Sequence, residues 1–254
     1  MPLFEFKLKD INKIKPWGES PDLWLSWFGL TDSFYYLNIQ GKELYRYSNE
    51  ILDWWKKDYP DEILSEYVDY QVVRLYEDLM DMLPDILQSI PQYIFEYVNS
   101  FDTHQIFTEN INNALEKERN DEIIDMHYDA LNWLSCRRLD SGHLTEGPTV
   151  WFLRFIIRWN NENKEIDGIQ PWSEIKGEKK YTFKAFIKEV QSFHDRLTSE
   201  MQSRVDVIIQ KNPLAHVNID IEYLIEENTH RKDSLENALK KKPGIDNWDS
   251  IFLL

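Results

Sequence analysis

SWFGLTDSFYYLNIQGKELYRYS, residues 26–48, decides the fold class. SFYYLNI and KELYRY flank Gln40-Gly41, and a glycine takes positive φ at little cost, so the stretch reads as two antiparallel strands joined by a tight hairpin. Alternation assigns Phe34, Tyr36 and one face of LYRY to packing. It leaves Tyr35, Asp32 and Arg46 as the residues whose exposure would turn this hairpin into a recognition face. Upstream, LFEFKL (residues 3–8) alternates like a half-buried strand, and KPWGESPD (residues 15–22) puts Pro16, Gly18 and Pro21 where the chain must turn. LWLSWF (residues 23–28) carries Leu23, Leu25 and Trp27 on one face before Gly29, which reads as a further strand ending in a bend.

Downstream the period changes from two toward 3.6. EILSEYVDYQVVRLYEDLMDML (residues 62–83) has Leu64, Val68, Val72, Leu75, Leu79 and Leu83 at helical spacing and bears Arg74 and Asp78 as an i,i+4 pair, with Pro84 as its expected stop. Further helices are expected over residues 85–99, 103–117 and 121–138. VWFLRFIIRW (residues 150–159) is rich in β-branched and aromatic residues and reads as one bent strand or two short ones, with EKKYTF (residues 178–183) completing a hairpin. Thr182 is placed to cap a long helix with Phe186, Val190, Phe193, Leu197, Met201, Val205 and Ile208 on one stripe. A last helix over residues 219–241 ends before Pro243.

The pattern is that of an α+β protein with a largely antiparallel sheet. Its strands come from residues 3–47 and 149–183, its helical middle spans 61–138, and its C-terminal helices span 184–241. No Ser-, Gly- or Pro-rich linker separates these parts, so residues 1–254 read as one unit.

KPWGESPDLWLSWFGLTDSFYYLNIQGKELYRYS (residues 15–48) resembles the N-terminal signature of an uncharacterised family of bacterial proteins, in which a PWG turn, a WFGLTDG-like strand end and an ELFRYS-like strand follow one another. YVDYQVVRLYEDLMDMLPDIL, RRLDSGHL before WFLRF, and FIKEVQSFHDRLTSEMQSRV resemble later blocks of that family in the same order. The family is of unknown function, so the resemblance brings no activity with it. Ser33 stands where the family usually has glycine, which argues against a turn needing positive φ there.

With 254 residues, 42% hydrophobic and 14% aromatic, the chain has enough apolar surface to fold. No run approaches the roughly 18 apolar residues of a membrane span, and MPLFEFKLKD lacks the order of a secretion signal. A cytoplasmic location is the simplest expectation, and the lone Cys136 excludes an internal disulfide. Forty-five acidic against 29 basic residues give a formal charge of -16. That field repels nucleic acid and anionic membrane and draws a basic protein partner, although acidity also serves plain solubility.

Chemistry is sparse. His104, His127, His143, His194, His216 and His230 are scattered, with no HExxH spacing, so neither a metal nor a cofactor is expected. His143 is the best placed, in the DSGHL loop between a helix and a strand, while His194 reads as an exposed or flanking position on its helix. Cys136 lies beside two arginines, but no histidine motif supplies a base, and a small residue late in a helix is the plainer reading. GxSxG, GxxxxGK[ST] and GxGxxG are all missing. Carboxylate pairs such as Asp78 with Asp81, or Glu77 with Asp81, are cheap in so acidic a chain, and Arg74–Asp78 is either helix-surface electrostatics or, if buried, a network or site.

Two function classes remain. One is an acidic inhibitor that binds a basic protein, with an immunity protein that neutralises a bacterial toxin as the concrete case. The other is an enzyme whose site is assembled from separated segments around Asp32, Tyr35, Arg46 and His143. The residues to locate are Asp32, Tyr35, Arg46, Arg74, Asp78 and His143.

Overall fold

Strand β2 (Asp32–Ile39) is the hub of the first of two antiparallel sheets. The computed structural model describes residues 1–62, 64–245 and 248, which form eight helices and these two sheets, an α+β arrangement. β1 (Phe4–Leu8) pairs along one edge of β2, while β3 (Lys42–Leu44) and β4 (Val68–Gln71) share its other edge. The hairpin turns at Gln40 and Gly41, both left-handed at φ 53° and 89°, which suits the twist of the flanking strands.

The inward face of β2 is the reverse of the expected one. Tyr35 is buried with Ser33, Leu37 and Ile39, while Phe34 and Tyr36 are half-buried and Tyr36 stacks on Tyr67 at 4.2 Å. Period two fixes which residues share a face and not which face is covered; here the aliphatic pair Leu37 and Ile39 carries Tyr35 inward. Ser33 sits inside the strand and donates its hydroxyl to the Tyr70 carbonyl at 2.9 Å, so no turn forms there. Residues 23–28 form no strand. Trp24 makes only single bridges, to Trp17 and Asn218, while Leu25 and Trp27 are buried as their alternation required.

The helix expected over residues 62–83 divides. Residues 68–71 are β4, because Val68 and Tyr70 also alternate and the open edge of β2 satisfies their backbone groups, pairing Tyr35 with Val68 and Ser33 with Tyr70. α2 then runs Val72–Leu87, continuing through the buried Pro84 instead of stopping before it. α1 (Asn49–Asp58), which the pattern did not reveal, begins at a Ser48 cap that accepts from the Ile51 N–H.

α3 (Gln92–Val98), α4 (Phe101–Lys117) and α5 (Asp121–Ser135) form a helical layer over a second hydrophobic cluster that includes Ile94, Phe107, Ile111 and Trp133. The second sheet contains β5 (Val150–Leu153), β6 (Ile156–Asn160) and β7 (Lys176–Lys180), with β6 central. It shares no ladder with the first, so the single sheet expected from residues 3–47 and 149–183 is in fact two. Its alternation explains the separation: Val150, Phe152, Ile157 and Trp159 belong to the main core, whereas Leu153 and Ile156 belong to the second cluster. The sheet is therefore covered on both faces.

α6 (Phe183–Lys211) buries the whole expected stripe, and Thr182 caps it through the Ala185 N–H. His194 is buried as well, not exposed, and bonds the Tyr76 hydroxyl at 2.7 Å. The last helix breaks at Asp233 into α7 (Ile221–Lys232) and α8 (Ser234–Lys240), and α8 packs on α2. No helix among the described residues is long and apolar enough to cross a membrane.

Candidate functional site

Helical spacing puts Arg74, Glu77, Asp78 and Asp81 of α2 along one face. Opposite them stand Arg231 of α7, Ser234 and Asn237 of α8, Lys241, and Asp140 from the loop after α5, enclosing a cleft of about 590 Å³. Three ion pairs rim it: Arg74 to Asp140 at 2.8 Å, Arg231 to Glu77 at 2.5 Å and Lys241 to Asp81 at 3.0 Å. Asp78 is the exception. It is half-buried, forms no ion pair among the described residues, and its Oδ2 accepts the Asp140 backbone N–H at 2.5 Å. Burial raises its pKa to about 6; the Asp140 carboxylate adds to this, and the Asp140 N–H and Arg74 oppose it.

The Asp140 loop is held from both ends. Arg137 at the end of α5 is wholly buried, donating to the carbonyls of Trp133 and Asp85 at 2.7 and 2.8 Å and to Gln88 Oε1 at 2.6 Å, with its guanidinium over the Trp133 ring. Burial lowers its pKa to about 10, so it stays charged at neutral pH. The Asp140 carboxylate accepts the Gly142 N–H at 2.9 Å, the turn chemistry of an Asp two residues ahead of its donor. Ser141 Oγ bonds Tyr45 Oη at 2.7 Å, and His143 Nε2 bonds Tyr35 Oη at 3.1 Å with its ring 4.6 Å from that of Tyr70. A Cβ on Gly147 would lie 2.1 Å from the Ser141 carbonyl oxygen, so only glycine lets the loop close on itself.

Protonation along this loop follows from burial. The Tyr35 phenol is pushed well above its ordinary range, chiefly by burial and then by the neighbouring tyrosines, and stays protonated. His143 is shifted down by burial and by the Arg74 charge, against the pull of Asp140, which favours the neutral ring. The Cys136 thiol is pushed up by burial, away from reactivity. Among the described residues no three His, Cys, Asp or Glu side chains converge as a metal site would require.

Four of the six expected residues therefore meet around one loop: Arg74 and Asp78 on its cleft side, Tyr35 and His143 beneath it. The other two stand apart. Asp32 pairs with Lys9 at 3.2 Å, and Lys9 also contacts Asp69; Arg46 pairs with Glu43 at 3.2 Å and Glu66 at 2.8 Å near the surface. Sequence reasoning missed Asp140, Arg231 and Lys241. The Asp-Ser-Gly triplet could have singled out Asp140 as a turn anchor, whereas nothing local marks two cations that reach the cleft from the C-terminal helices.

A second electrostatic feature lies in the α3–α5 layer. Residues 91–135 carry nine carboxylates against two cations, Lys117 and Arg119. Glu96, Asp102, Glu109, Glu116, Asp121, Glu122 and Asp125 are exposed, as are Ile106 and Tyr128 between them. Among the described residues none of these carboxylates forms an ion pair; all the pairs are made elsewhere.

No curated protein and no solved structure matches this chain significantly. A family model described as "Family of unknown function (DUF5984)" matches residues 3–252, and the chain belongs to that family.

Proposed function

We propose that this protein is an acidic inhibitor that binds a basic protein partner, in its most concrete form an immunity protein that neutralises a bacterial toxin in the cytoplasm. The observation that carries the reading is Asp78: a half-buried carboxylate on the wall of a 590 Å³ cleft in which the other acidic groups have cations and it has none. An arginine or lysine from a partner entering the cleft would complete the set and draw the Asp78 pKa back toward its ordinary value. The formal charge of -16, concentrated in the unpaired carboxylates of α3–α5, supports the same reading, because complementary charge speeds encounter and rejects nucleic acid as a competitor.

The test is calorimetry of this protein against the purified product of the adjacent gene, with rescue of cells that express that product. Binding that weakens as salt rises and is lost in Asp78→Asn supports the proposal. An adjacent product that neither binds nor is neutralised refutes it. One observation favours the enzyme reading as a second choice: a carboxyl group near 6 lies where general acid–base catalysts work. That reading requires turnover of a small substrate that disappears in Asp78→Asn without any protein partner.

A further inference from the structure

We infer that a second pocket, between α4 and the face of the β5–β7 sheet that meets the α3–α5 layer, binds a small, neutral, flat molecule carrying a carbonyl acceptor. Trp151, Arg158 and Glu178 stand in a row across the three strands, Trp151 opposite Arg158 and Arg158 opposite Glu178. Arg158 is wholly buried. Its Nε and Nη2 donate to Glu178 Oε2 at 3.0 and 2.7 Å, and its Nη1 lies 3.1 Å from His104 Nδ1. A guanidinium can only donate, so His104 Nδ1 is the acceptor and the imidazole proton resides on Nε2.

That Nε2–H makes no hydrogen bond among the described residues, although His104 is only 7% exposed. The side chain lines a cavity of about 330 Å³ together with Phe101, Gln105, Trp151, Asn160 and Asn163. The Nε2 atom is not sealed off but accessible, and an open donor without a protein partner on a cavity wall offers a bond that a ligand can complete. Burial and the Arg158 charge hold the His104 pKa down at about 4, so the donor persists at neutral pH.

The chemistry of the walls narrows the ligand. Phe101 and Trp151 supply flat apolar surface, and the side-chain amides of Asn160 and Asn163 lie at the same cavity. Both charges at the site are already compensated, Arg158 by Glu178 and Glu162 by Lys176 at 2.9 Å, so neither an anion nor a cation finds an unmatched partner. The volume is near the lower end for small-molecule pockets, which run from about 300 Å³ upward, and suits a single ring bearing an amide.

Benzamide is the probe. In two-bond ¹H–¹⁵N spectra of histidine-labelled protein, His104 should appear as the neutral Nε2–H tautomer, its signal assigned by loss in His104→Gln. Benzamide at concentrations on the order of millimolar should move the Nε2 resonance saturably. Benzylamine, which lacks the acceptor, and benzoate, which is charged, should bind about ten-fold more weakly. Gln105→Trp, a change at an exposed position on the rim, should abolish the benzamide response without unfolding the protein. The proposal is overturned by an Nδ1–H tautomer, by no saturable shift with benzamide, by equal binding of either control, or by an undiminished response in Gln105→Trp.

Discussion

Asp78→Asn is expected to stabilise the protein at neutral pH. The folded-state pKa of Asp78 is about 6 against an ordinary value of 3.8, so the folded protein holds its proton more tightly than the unfolded chain does. Between those two values the folded state binds more protons; stability therefore falls as pH rises through that window, and the penalty is complete above about pH 6. About two pKa units at about 1.4 kcal/mol each give a ceiling of about 3 kcal/mol. Because Asp78 is half-buried, solvent screens part of this, and a gain of about 1–2 kcal/mol is the reasonable expectation for the neutral isostere. Asparagine can still accept the Asp140 N–H through its Oδ1, so the loop anchor is retained. Urea unfolding of both proteins at pH 7.5 and pH 4.5 measures it: the advantage of Asp78→Asn should be present at pH 7.5 and smaller at pH 4.5. A variant less stable than the parent at pH 7.5, or one whose advantage is the same at both values, would refute the reasoning.

His104 has the opposite sign. Its folded pKa is lowered from 6.5 to about 4, so the unfolded chain binds more protons between those values and stability is lost as pH falls through them, by up to about 3 kcal/mol. His104→Gln should remove that acid sensitivity from the urea midpoint, and an unchanged pH profile would contradict it. Tyr35→Phe removes the partner of His143 Nε2 and should cost about 1–2 kcal/mol by chemical denaturation, with no measurable change counting against a structural Tyr35–His143 pair. Gly177→Ala would place a Cβ 2.2 Å from the Trp159 ring in the middle of the second sheet; a loss of about 2 kcal/mol or more in stability is expected, and a neutral result would mean that the ring moves freely.

What the sequence reveals about this fold depends on whether the deciding interaction is local. The α6 stripe was legible because seven apolar residues at a regular helical interval leave no other face to bury, and the Gln40-Gly41 turn because its backbone demands are met by two adjacent residues. Residues 68–71 were not, since Val68 and Val72 fit the helical stripe while Val68, Tyr70 and Val72 also alternate, and the choice fell to the vacant edge of β2, over 30 residues earlier in the chain. The two-sheet arrangement was hidden for a similar reason: alternation in β6 shows two apolar faces, but not that one of them looks toward α3–α5. The site divides in the same way. Arg74 and Asp78 are neighbours on one helix and could be named together, whereas the Tyr35–His143 contact spans 108 positions and the cations facing Asp78 come from a helix pair whose break at Asp233 has no proline or glycine to announce it.

The arrangement around Asp78 distinguishes a site from an accident of composition. In a chain with 45 acidic residues, unpaired carboxylates at the surface cost almost nothing, and those on α3–α5 require no explanation beyond solubility or steering. Asp78 differs because its charge is held where water is scarce, beside a second carboxylate, Asp140, whose loop is fixed by the buried Arg137 and by Gly147. Folding alone would be served better by asparagine at this position, which keeps the bond to Asp140 and removes the penalty. A group that weakens the fold while its neighbours are fully paired is the kind of feature that binding preserves at the expense of stability. A cation from a partner would remove the penalty only in the complex, so part of the binding energy is already present in the free protein as the destabilisation of Asp78.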